Sequence, residues 1–117
     1  MERGLRRRPL RLAIAYMEEH IGENFTLEEL ARTVGVSRFH FARLFRMSTG
    51  KSPMVYALHL RIEHAKSMLL RGDRRACEIA MTLGFFDQSH FSRTFRRMTG
   101  VSPGEYVRLG DATGIAT

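Results

Sequence analysis

The chain has 117 residues, 44% hydrophobic and 26% charged, with 19 Lys and Arg against 12 Asp and Glu. That suffices for one domain or two very small ones at an ordinary globular hydrophobic content, and no apolar run approaches the length of a membrane span. Its one cysteine, Cys77, excludes an internal disulfide and is too few for a zinc site built on paired cysteines.

Residues 1–8 form a basic arm carrying Arg3, Arg6, Arg7 and Arg8. Arg11, Glu18 and Glu19 interrupt what a signal peptide would need as its apolar stretch, so a soluble cytoplasmic protein is expected. Pro9 opens a first helix to about residue 21, with Leu10, Ala13, Ile14 and Met17 on one stripe and Gly22 after it. Thr26 with Glu29 reads as a capping box for a short helix that stops at Gly35. Ser37 caps a helix running to Gly50. Ser52 and Pro53 then start a long helix to Arg71, closed by Gly72. Residues 74–83 form another short helix, Asp87 caps the next, and Ser102 with Pro103 opens a last short turn before a frayed tail at 109–117. The expectation is an all-α chain of about seven helices: a unit at 9–52, a linker helix at 53–71 and a second unit at 72–108.

The halves repeat. The segment 40–56 returns fifty residues later at 90–106 with ten of seventeen positions identical. Upstream, Glu29–Ala31 and Thr33–Gly35 align with Glu78–Ala80 and Thr82–Gly84 at an offset of forty-nine, so the second copy has one extra residue in the turn. A duplication that changes length only between two helices fits a pair of helix-turn-helix units.

The formal charge is +7, and every basic residue except Lys51 and Lys66 is arginine. The planar guanidinium grips phosphates and guanine edges bidentately, which favours a nucleic-acid partner; a GC-rich genome is the other source of such a bias. On a helical wheel, Phe41, Leu44, Phe45 and Ser48 form the core face of the helix after Ser37. Phe39, Arg43 and Arg46 point the other way, flanked by Ala42 and Met47. In the second copy Phe91, Thr94, Phe95 and Met98 face inward, and Ser89, Ser92, Arg93, Arg96 and Arg97 outward. A solvated face would explain one such helix, but its recurrence in both copies favours an interaction surface. Phe39 then meets a thymine methyl or sugar edge, or else is buried against the neighbouring unit or the N-terminal helix. A linker of about 28 Å at 1.5 Å per residue is on the scale of the roughly 34 Å between major-groove openings, so one chain would read an asymmetric site of about 20 bp without dimerising.

The residues Ile79-Ala80, Gly84-Phe85, Asp87-Gln88-Ser89-His90-Phe91-Ser92-Arg93, Phe95-Arg96, Gly100-Val101-Ser102-Pro103 and Tyr106 resemble the C-terminal pattern of the AraC/XylS family of bacterial transcription regulators. The resemblance covers about residues 10–108 and implies a double helix-turn-helix that binds double-stranded DNA and regulates transcription. It implies base contacts from Arg38, Phe39, Ala42 and Arg43 in the first copy, and from Gln88, Ser89, Ser92 and Arg93 in the second. Arg46, Lys51, Arg96 and Arg97 are expected on phosphates. Three positions depart from pattern: Phe86 replaces a small polar residue, Arg75 stands where the first copy has Thr26, and Ala42 is short for a base reader. A weaker start to the second unit is expected.

His40 and His90 lie in different copies and read as packing residues, and His59 and His64 do not share a face, so no metal or cofactor is expected. Arg61, on the linker helix, is expected to pair with a nearby acid and is not counted as a DNA contact. Cys77 lacks an activating partner beyond Arg74 and Arg75. The acids Glu18, Glu19, Glu23, Glu28 and Glu29 form a patch facing away from DNA or towards a protein. With no phosphate loop or nucleophile-base pair, a non-enzyme is expected. RNA polymerase is a further candidate partner. Two other readings are the output domain of a longer ligand-sensing regulator and an adaptor for an acidic protein.

Overall fold

The computed structural model describes residues 4–113, the side chains of 111–113 excepted. Among the described residues it contains seven helices: α1 (Arg7–Glu19), α2 (Leu27–Val34), α3 (Arg38–Thr49), α4 (Pro53–Arg71), α5 (Ala76–Thr82), α6 (Gln88–Thr99) and α7 (Pro103–Thr113). The chain divides into two units, 1–60 and 61–117, and the division falls within α4.

In the first unit, Ala13, Met17, Phe25, Leu30, Ala31, Phe41, Phe45 and Ala57 make one buried cluster, with Leu5, Leu10 and Tyr56 packed around it. The turn between α2 and α3 follows from its capping residues. Thr26 Oγ1 accepts the Glu29 amide at 3.1 Å, and Gly35 ends α2 at φ 74°, where a Cβ would be strained. Ser37 Oγ then accepts the His40 amide at 3.3 Å to start α3. Thr26 supplies only half of the expected capping box, because the Glu29 carboxylate instead accepts the Tyr16 hydroxyl at 3.0 Å. That bond raises the Tyr16 pKa, with burial and the charges of Glu29 and Glu23 adding to it.

The second unit buries Ile62, Ala65, Met68, Leu69, Ile79, Ala80, Leu83, Phe85, Phe91 and Phe95. The aromatic pattern of the first unit recurs. Phe41, Phe45 and Tyr56 stack with centroids 5.5 and 5.2 Å apart, and Phe91, Phe95 and Tyr106 at 5.8 and 5.5 Å. Thr49 and Thr99 each return a hydroxyl to the carbonyl of Phe45 or Phe95, at 3.0 and 2.8 Å, where their helices end. Arg75 offers no side-chain cap to α5. Glu78 substitutes for one, its carboxylate accepting the Arg75 amide at 2.9 Å.

Three expectations need correction. α1 starts at Arg7, so part of the basic arm is helical; Pro9 sits in the first turn, where its missing N–H is not needed. Ser102 opens a helix of 11 residues instead of a short turn. Its hydroxyl accepts the Glu105 amide at 3.1 Å while Glu105 accepts the Ser102 amide at 3.0 Å, a reciprocal box that nucleates α7. Helix therefore continues to residue 113 of the expected tail, and 114–117 lie outside the described residues. Ser48 is exposed although the wheel placed it inward, and Leu44 and Met98 are half-buried. The wheel assumes that a core extends along the whole helix, whereas at Ser48 the helix meets the N-terminal segment, at Gly4 and the Leu5 carbonyl.

Candidate nucleic-acid interface

α3 and α6 hold equivalent positions in the two units and follow equivalent turns. In the first, the Val36 amide reaches the Ala31 carbonyl at 3.3 Å; in the second, the Phe85 amide reaches the Ala80 carbonyl at 3.0 Å. Phe85 thus fills the place of Val36, and the extra residue of the second copy is Phe86. Phe86 is 90% exposed, against 6% for Phe85. The offset of the repeat places the insertion in this turn but leaves open which phenylalanine is buried. The hydrogen-bond register is what separates them.

Neither helix contains an acid, and the acid nearest α6 is its N-cap, Asp87, which is engaged by the His90 amide at 2.7 Å. On α3, Arg38, Phe39, Arg43 and Arg46 are exposed and Ala42 is half-buried. Phe39 is 73% exposed, which removes burial against the N-terminal helix of its own unit as its explanation; the Arg38 guanidinium lies 4.8 Å from its ring centroid. Arg43 is positioned by a 3.0 Å contact with His40 Nδ1. Lys51 is exposed just after α3.

On α6, Gln88, Ser89, Arg93, Arg96 and Arg97 are exposed and Ser92 is half-buried. Arg96 lies 3.6 Å from the Glu105 carboxylate. Glu105 is itself held below the usual carboxylate range by its two hydrogen bonds with Ser102, with Arg96 and Arg108 adding to the effect. A phosphate would therefore compete with Glu105 for Arg96, whereas no such ion pair engages Arg93 or Arg97 among the described residues. His90 Nδ1 accepts the Phe86 amide at 3.3 Å and its ring stands edge-on to Phe85, so this histidine organises the turn. Each unit thus presents a short capped helix with a cationic outer face.

A model described as a helix-turn-helix domain matches residues 30–109. A crystal structure of an AraC-type DNA-binding regulator from Chromobacterium violaceum superposes with a TM-score of 0.81 at 33% identity, covering 86% of this chain and 90% of that one. The chain belongs to the AraC/XylS family. The DNA-binding domain of AdpA, a global transcriptional factor solved in complex with a target DNA, is another relative, with a TM-score of 0.82 and 33% identity over 90% of this chain and 95% of that one. The MmsAB operon regulatory protein of Pseudomonas aeruginosa is 37% identical over 100 residues, or 83% of this chain. The chain spans about a third of the length of that regulator. Its fold and family are those of a DNA-binding transcription regulator of the double helix-turn-helix kind, and no helix among the described residues is long and apolar enough to cross a membrane.

Proposed function

We propose that this chain binds double-stranded DNA sequence-specifically by placing α3 and α6 in successive major grooves, and so regulates transcription without being an enzyme. The observation that carries the reading is the recurrence of an exposed, acid-free arginine face on two equivalent helices, each set by a capped turn. A major groove admits an α-helix, and arginine there reads guanine O6 and N7 bidentately. Arg43 and Arg93 are the leading base readers, with Arg38, Phe39, Gln88, Ser89 and Ser92 beside them. Ala42 contributes at most an apolar contact with a thymine methyl. Arg46, Lys51, Arg96 and Arg97 hold phosphates.

The helix between the two readers has 19 residues, or about 28 Å of axis, which supports consecutive grooves and an asymmetric site of about 20 bp bound by one chain. Function in the bacterial cytoplasm and contact with RNA polymerase fit this reading. Arg43→Ala and Arg93→Ala should each flatten base preference in a different half of the site, at about 1 to 3 kcal/mol. Measured against a panel of single-base-pair variants, an unchanged preference in both mutants would remove these residues from the role.

A further inference from the structure

We propose that Arg6, Arg7, Arg8 and Arg11 form a third, sequence-independent DNA contact that grips the phosphate backbone beside the groove entered by α3. The proposal rests on the reading that α3 enters DNA, and concerns residues to which that reading gives no part. All four arginines are exposed, and no ion pair engages their side chains among the described residues. Three of them fall in α1 within its first five residues; Arg7 and Arg11 share one stripe and Arg8 lies beside it.

The charge distribution on α1 runs against its own stability. Its first turn contains no acid and its last turn no base, while Glu18 and Glu19 occupy the C-terminal end. A helix favours anions at its N-terminus and cations at its C-terminus, so both ends carry the wrong sign. An anion supplied from outside the chain gives the N-terminal cluster a purpose that folding does not.

Position makes that anion the DNA backbone. The arm lies on the C-terminal part of α3, where Ser48 Oγ donates to the Leu5 carbonyl at 3.4 Å. Gly4 approaches so closely that a Cβ there would fall 2.3 Å from Ser48 Oγ and 3.0 Å from the Ser48 amide nitrogen. Residues 4–7 line a cleft with Met47 and Ser48, and Leu5 packs against the buried cluster of the first unit. The arginines are thereby attached to the same unit as Arg43 and Arg46.

The test compares the whole chain with Arg7→Glu/Arg8→Glu and with Arg6→Gln/Arg7→Gln/Arg8→Gln/Arg11→Gln, using a duplex enriched by the wild type and a scrambled duplex over a range of salt. Loss of two to four phosphate contacts should weaken binding to both duplexes by the same factor, about 30- to 1,000-fold at 0.15 M salt, and lower the salt slope by about 0.9 per contact. The glutamate variant should melt at the wild-type temperature or higher, since it corrects the sign at the helix end. Unchanged affinity and slope would overturn the proposal, as would a lower melting temperature accompanying the lost affinity, which would make the arginines structural. A change in base preference would also overturn it, by making the arm a reader. Failure of the wild type itself to bind any duplex at low salt would instead defeat the underlying DNA-binding reading.

Discussion

Phe41 and Phe86 set the extremes for side chains of one type in this fold. Phe41 is fully buried in the first unit, and Phe41→Ala should destabilise by about 3 to 5 kcal/mol through lost transfer energy and a cavity. Phe86→Ser should stay within about 0.5 kcal/mol of wild type, because a side chain 90% exposed has little packing to lose. Chemical denaturation of both variants checks the pair, and a large loss at Phe86 would show that the turn depends on it. Helical periodicity was enough to place Phe41, Phe45, Phe91, Thr94 and Phe95 inward, and all five are buried. It misplaced Ser48, since periodicity defines a direction around a helix but not where along its length the core ends. The arginine faces were legible for the complementary reason, as charges on a capped helix opposite its phenylalanines have nowhere to go but outward.

At the level of the helix, caps governed what could be read. Ser37 and Asp87 are unambiguous N-caps in sequence, and both accept the amide three residues on, at 3.3 and 2.7 Å. The short turn expected at Ser102 extends into α7 because Ser102 and Glu105 close a reciprocal box around Pro103, at the same spacing as Thr26 and Glu29. In the structure Gly110 is buried and lies where a Cβ would come within 2.7 Å of Leu70 Cδ2, so its small size suits close packing against α4. Ser102→Ala should cost about 1 kcal/mol, measured by thermal unfolding. The box is also pH-sensitive. The Glu105 carboxyl has its pKa lowered by the bonds with Ser102 and by nearby arginines. A lowered folded pKa gives stability present above the carboxyl's unfolded value and lost as pH falls through the folded value. Melting temperature should therefore fall as pH drops below the ordinary carboxylate range, and Glu105→Gln should flatten that acid limb. An identical limb in the mutant would assign it to other groups, Glu78 being the first to consider since it too is held low by Arg75.

Across the whole molecule, duplication was the most informative feature of the sequence. A repeat with one extra residue implied two helical units of the same plan, and the two units show the same helix-turn-helix geometry, aromatic ladder and threonine return bonds. What the sequence left open were the N-terminal arm's attachment to α3 and the pairing of Arg96 with Glu105, both of which bring together residues that no periodicity links. Family membership adds the DNA-binding context, and AdpA is a relative solved with its target. The central claim, that one chain reads two grooves through α3 and α6, is tested most directly by selection from a random duplex library at fixed near-physiological salt, followed by footprinting of the enriched sequences. The account predicts an asymmetric site with two preferred blocks about one helical turn, or 10 bp, apart. Salt-sensitive binding with no enrichment at all would contradict it, since the two arginine faces would then supply affinity without reading any base.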